Sequence, residues 1–155
     1  MFLNLPHDLT SQRLQIRRFT EADLPHAYEL HRIDAVNRYL PYTTWTADSD
    51  ALAWHDRVLG LREQQSAEQY AIVLKSTQTF IGTCIVFGFN TELASAEFGY
   101  VLHPDHWGQG YMLEAMTVFT ESLAVDLSLK QLNASVEEPN HASKALLKKL
   151  KFSLL

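Results

Sequence analysis

The sequence has one cysteine, Cys84, in 155 residues, and only six glycines and five prolines. A lone thiol cannot close an intramolecular disulfide or supply a cysteine-based zinc cluster, so the composition suits a reducing compartment, with the cytoplasm as the expected location. Scarce glycine and proline exclude collagen-like and low-complexity architecture. Basic residues are also in deficit, 13 Lys and Arg against 18 Asp and Glu for a net charge of −5, which argues against non-specific binding to nucleic acid phosphates. No apolar run approaches the roughly 18 residues that a membrane span needs, and residues 1–8 lack the basic stretch and apolar core of a secretion signal. Neither a nucleic acid nor a membrane partner is expected.

What is present is core-forming. The hydrophobic fraction is 46%, with 3 Trp, 6 Tyr and 8 Phe, enough for one domain over residues 1–155. No repeat and no Gly-, Ser- or Pro-rich linker divides it. Residues 13–19 alternate polar with apolar side chains as a strand, and Thr20 with Asp23 opens a helix carrying Leu24, Ala27, Tyr28 and His31 on one stripe. Residues 47–50 cap a second helix with Leu52, Trp54, Val58 and Leu61. Residues 70–74, 80–87 and 96–102 read as three strands. Their connections are too short for a parallel crossover, so an antiparallel meander is expected. A loop over residues 103–109 leads into a long helix with Leu113, Met116, Phe119, Thr120, Leu123 and Leu127 facing inward. A strand over residues 131–136 and a last helix through Ala142, Ala145, Leu146 and Leu150 close the chain.

Chemistry concentrates where the third meander strand runs through a glycine-containing turn, Trp107-Gly108-Gln109-Gly110-Tyr111, into the long helix. The first N–H groups of a helix have no internal partner and sit at the positive end of its dipole, so a phosphate binds there without a lysine. Glycine lets the backbone approach the oxygens closely; a Gly-x-Gly that merely makes a tight turn is the other reading. A triphosphate loop is excluded because no Gly-Lys-Ser/Thr follows, and a dinucleotide fingerprint because Leu113 stands where its third glycine belongs. No Gly-x-Ser-x-Gly elbow is present, and Cys84 lies in an apolar strand as a core thiol.

On five blocks the sequence resembles the GNAT acyl-CoA N-acetyltransferases, and within them the RimJ/RimL-like branch. The blocks are residues 11–17 with 21–23, Ile81-Gly82, residues 96–102, residues 107–111 with Glu114-Ala115, and residues 140–143 with Lys149 and Phe152. The resemblance implies an α+β, three-layer fold: a mixed, mostly antiparallel sheet with helices on both faces, its central strands splayed at the cofactor. It implies acetyl transfer from acetyl-CoA to a primary amine, either a protein N-terminus or a small amine, without a metal. N–H groups of Gly108, Gln109, Gly110, Tyr111 and Met112 would meet the pyrophosphate, backbone groups of Tyr100, Val101 and Leu102 the pantetheine arm, and Asn140 is a cofactor contact, the N-cap of the last helix, or both. Glu97 is the candidate base, against a plain solvent-facing glutamate. Ser143, which also counts as a cofactor contact, is the candidate acid, against a hydroxyl bonded to nearby backbone.

Other residues have simpler readings. His103 and His106 lack a third metal ligand and are expected to line or cover the cofactor site. Trp45 and Trp54 are pocket walls or core, and Lys144, Lys148, Lys149 and Lys151 a solvated helix face. Against the family, Met112 stands where a small residue is common and Lys151 where glycine precedes the phenylalanine. The family's C-terminal strand hairpin is expected to be missing, which would leave a strand edge open to pairing between subunits and makes a noncatalytic acyl-CoA-binding module the alternative function.

Overall fold

The structure is a computed structural model that describes residues 5–41, 43–137 and 139–152. Its centre is one six-stranded sheet, ordered in space as in sequence: β1 (Asp8–Thr10), β2 (Leu14–Arg18), β3 (Ala67–Leu74), β4 (Thr79–Asn90), β5 (Ser95–Leu102) and β6 (Gln131–Asn133). β1 to β5 pair antiparallel, as the short connections between the meander strands require. β5 and β6 pair parallel, because α4 (Tyr111–Asp126) carries the chain back across the sheet between them. The other helices are α1 (Leu24–His31), α2 (Asp34–Asn37), α3 (Asp48–Glu63) and α5 (His141–Lys149).

Side-chain alternation along the strands builds a core on each face. On one face Leu14, Ile16, Tyr70, Ile72, Val86, Ala96 and Phe98 meet Met112, Met116, Phe119 and Leu123 of α4 and Leu147 of α5. On the other, Ala71 and Val73 meet Phe19, Leu24, Ala27, Trp45, Trp54 and Val58 of the N-terminal helical layer. Each large side chain so buried contributes about 2 kcal/mol of transfer free energy. Trp45 and Trp54 are therefore core residues, ring centroids 5.7 Å apart, and Cys84 is buried.

Several expectations need correction. The inward stripe of α3 is Ala51, Trp54, His55 and Val58, spaced three and four apart, whereas Leu52 and Leu61 face outward at 57% and 36% exposure. The stripe of α4 is likewise Met112, Ala115, Met116, Phe119 and Leu123; Leu113, Thr120 and Leu127 are only partly buried. The strand expected over residues 131–136 stops at Asn133, because only Ser95, Ala96 and Glu97 of β5 find partners on it. β1 and α2, of three and four residues, are too short to show a periodic pattern in the sequence.

Gly82 is required by packing. A Cβ there would lie 2.1 Å from the Val101 carbonyl oxygen, so the side-chain-free residue lets β4 and β5 close up at the end of β5 that leads into the turn.

Candidate active site

Beyond Glu97, β5 runs on for five residues without a partner on the β6 side. The two parallel strands part there, and α5 stands across the gap. Asn140 caps α5, its side chain accepting from the Ser143 N–H at 3.2 Å. That places Ser143 in the first turn, with its hydroxyl hydrogen-bonded to the phenol of Tyr100 on β5. Burial pushes the Tyr100 phenol up, with the Ser143 bond pulling weakly the other way, so the phenol keeps its proton at neutral pH.

At the end of β5 the Trp107 indole donates to the Leu102 carbonyl at 2.8 Å, and a 3-10 turn, Pro104–His106, leads into the glycine turn. Gly108 and Gly110 have φ of 74° and 78°, which any Cβ would strain. Gly110 is the N-cap of α4, and the first helical bond closes from the Glu114 N–H to the Gly110 carbonyl at 3.1 Å. The N–H groups of Tyr111, Met112 and Leu113 therefore precede the helical ladder at the positive end of a 16-residue helix.

The strand gap, the turn and α5 enclose a cavity of about 530 Å³. Its wall includes Tyr100, Val101, Leu102, Gly108, Gly110, Tyr111, Met112, Asn140 and Ser143, nine residues singled out from the sequence. Gln109 belongs to the turn but not to the wall. Glu97 is also outside it. Glu97 pairs across the sheet with Phe87 and, by alternation, sits on the face of α1 and α3, opposite Tyr100; its carboxylate lies against Gly88, where a Cβ would come within 2.4 Å of Oε2. His106 lines the cavity, while His103 accepts from the Asp105 N–H. Among the described residues no cluster of ligands suited to a metal occurs.

The opposite wall carries no motif or periodic pattern. Ala35, Val36, Arg38, Tyr39 and Leu40, in and after α2, close the cavity from the N-terminal layer. A four-residue helix is too short to show periodicity, so only the cluster of apolar residues around Arg38 marks it. Lys149 joins the wall from the last turn of α5; with Arg38 it makes the wall cationic, and among the described residues no carboxylate is part of it.

A family model described as the acetyltransferase (GNAT) domain matches residues 13–153. The chain belongs to the GNAT acetyltransferases. Among curated relatives, the uncharacterized N-acetyltransferase p20 of Bacillus licheniformis is 31% identical over 147 residues, covering 93% of this chain and 81% of p20. Two solved acetyltransferases share the fold. The ribosomal L7/L12 alpha-N-protein acetyltransferase RimL, in complex with coenzyme A, matches with a TM-score of 0.85 at 19% identity, over 95% of this chain and 84% of its own. Spermidine N-acetyltransferase from Vibrio cholerae, with coenzyme A and spermine, matches with a TM-score of 0.78 at 16% identity, over 90% and 80%.

GNAT acetyltransferases use acetyl-CoA, and the residues present fit such a group. A phosphate-bearing, elongated molecule needs unpaired N–H donors, a cationic surround and a long slot. The glycine turn, Arg38 with Lys149, and the gap between β5 and β6 supply these in turn. Among the described residues no helix is long and apolar enough to cross a membrane.

Proposed function

We propose that this acetyltransferase binds acetyl-CoA in the 530 Å³ cavity and transfers the acetyl group to a primary amine, a protein N-terminus before a small amine. One observation carries the reading: a positive-φ glycine turn at a helix N-terminus and a half-buried pair of hydroxyls, Tyr100 and Ser143, face the same cavity, whose charged wall residues Arg38 and Lys149 are cationic. Acetyl-CoA, when bound, supplies a thioester whose carbonyl accepts the amine and whose sulfur leaves as thiolate. The N–H groups of Gly108, Gln109, Gly110, Tyr111 and Met112 hold the pyrophosphate, and the open edge of β5 at Tyr100, Val101 and Leu102 orients the pantetheine arm. Asn140 fixes the first turn of α5. The Tyr100 phenol donates to the Ser143 oxygen, which leaves the Ser143 proton free for the departing sulfur. Glu97, on the face of the N-terminal helices, takes the amine proton through water, the amine arriving past residues 35–40.

A protein N-terminus ranks first because the fold likeness to RimL, whose substrate is a ribosomal protein, has the higher TM-score; spermidine acetyltransferase keeps a small amine second. A cytoplasmic location goes with this reading. So does pairing of subunits through the outer edge of β6, which has no neighbouring strand among the described residues. The position of Glu97 outside the cavity wall favours one alternative, a module that binds acyl-CoA without turning it over. Calorimetry with coenzyme A and a thiol-release assay over a panel of amines and N-terminal peptides separate the two. Binding with turnover supports the enzyme, binding without turnover selects the module, and no binding rejects both.

A further inference from the structure

Behind the glycine turn lies a charged cluster that the mechanism above does not use. Glu114, in the first turn of α4, receives a hydrogen bond from the Ser11 hydroxyl, another from the Arg13 backbone N–H at 2.8 Å, and an ion pair from Arg13 Nε at 2.7 Å. The same guanidinium donates to the Gln109 carbonyl at 3.2 Å and lies over the Tyr111 ring, 4.4 Å from its centroid. A Cβ placed on Gly110 would meet Arg13 Nη2 at 3.6 Å. One side chain from the bend just before β2 thus bonds Gln109, covers the Tyr111 ring and pairs with Glu114, three residues of a six-residue stretch more than ninety positions away. Neither Arg13 nor Glu114 is part of the cavity wall, whereas Gly108, Gly110, Tyr111 and Met112 are.

The placement has a directional consequence. A peptide unit points its carbonyl and its N–H to opposite sides. A guanidinium that holds the Gln109 carbonyl at the back of the turn therefore directs the N–H of the same peptide unit, that of Gly110, toward the front. The carboxylate of Glu114, one helical turn from the phosphate-binding N–H groups, would oppose an anion if left bare; Arg13 neutralises it. Burial alone would raise the Glu114 pKa, but the bonds from Ser11 and Arg13 outweigh it and hold the carboxyl below the ordinary glutamate range, so the cluster is ionised at neutral pH.

Resting on the reading that this turn receives the pyrophosphate of coenzyme A, we propose that Arg13 is a positioning residue for it: paired with Glu114, it locks the turn in its anion-receiving conformation from outside the site. It does not touch the cofactor. Its effect is confined to the phosphate end, since Tyr100 and Ser143 bond to each other and Ser143 to Asn140, away from the cluster.

Calorimetry on the full chain with two probes, coenzyme A and pantetheine, which lacks the pyrophosphate, tests this. Arg13→Gln should weaken coenzyme A by about tenfold or more, as expected for losing a charge-assisted, two-point hold on a binding loop. Pantetheine should be unaffected within about twofold. Glu114→Gln, which keeps the shape and drops the charge, should show the same split to a smaller degree, and guards against a folding failure of the arginine variant. Unchanged coenzyme A affinity in both variants overturns the proposal, as does an equal loss for both probes, which would mark a structural defect. Failure of the unaltered protein to bind coenzyme A would overturn the underlying reading as well, so the two failures are told apart.

Discussion

Ser143 and Tyr100 show what a single residue discloses in sequence and what it hides. The serine was legible through the family resemblance, which implies a hydroxyl near the departing sulfur; the Asn140 N-cap expected ahead of it is present. The tyrosine was legible only as a backbone donor on a strand. Its hydroxyl bond to Ser143 joins residues 43 apart in sequence, and no local pattern encodes which rotamer crosses a gap between strands. Glu97 was readable as an acid on the central strand, but its face depends on a register that sequence does not print. These positions yield a paired expectation. Ser143→Ala should lower kcat by about a hundredfold, the lower range for a general acid, with coenzyme A affinity within about threefold of the parent. Glu97→Gln should lower kcat by about a hundredfold. Equal losses of kcat and affinity at Ser143 would make it a binding residue, and an unaltered kcat would remove Glu97 as the base.

At the scale of elements, helix ends carry information that was partly read. Lys151, where glycine was expected, has φ of 68°. It closes α5 with a Lys151 N–H to Lys148 bond and a Phe152 N–H to Leu147 bond, while Phe152 packs on Phe98 at 5.4 Å between centroids. A side chain in that conformation costs about 1 kcal/mol or more, so Lys151→Gly should stabilise the protein by about 1 kcal/mol in denaturant unfolding. A lower midpoint would contradict this account of the helix end.

The link from α1 to α2 is held differently, by the buried imidazole of His31, which pairs its Nδ1 with Asn37 Oδ1 at 2.9 Å while the Asn37 amide donates to the His31 carbonyl. Burial pushes the His31 pKa below its ordinary 6.5, with the Asn37 bond opposing it weakly. The unfolded chain then binds the proton more readily, so this contribution is complete above pH 6.5 and is lost as pH falls through the folded value. Stability should therefore decline on acidification below pH 6.5. His31→Gln should flatten that limb while leaving the one below about pH 4.5, where Asp23 and Glu114, both held below their ordinary range, take up protons. An identical decline in the variant would place the sensing group elsewhere.

For the molecule as a whole, the order from β3 to β6 was legible because short connections admit one arrangement and a long helix admits the other, whereas the places of β1 and β2 at the far edge were not. The cavity was legible on one side only. Its glycine-turn wall has a local chemical reason to be there, and the β5 and α5 walls were implied by the family resemblance. The wall of residues 35–40 comes from tertiary packing of a helix too short to announce itself. The two sides meet at the turn, and the central claim is that this turn is the phosphate end of an acetyl-CoA site. Gly110→Pro tests it most directly, since proline removes the N–H aimed forward and cannot take a φ of 78°. Calorimetry with coenzyme A, with the unfolding midpoint of the unliganded variant measured alongside, is the measurement. The account predicts at least about a tenfold loss of affinity in a variant that still folds; a folded Gly110→Pro protein that binds coenzyme A as tightly as the parent would contradict it.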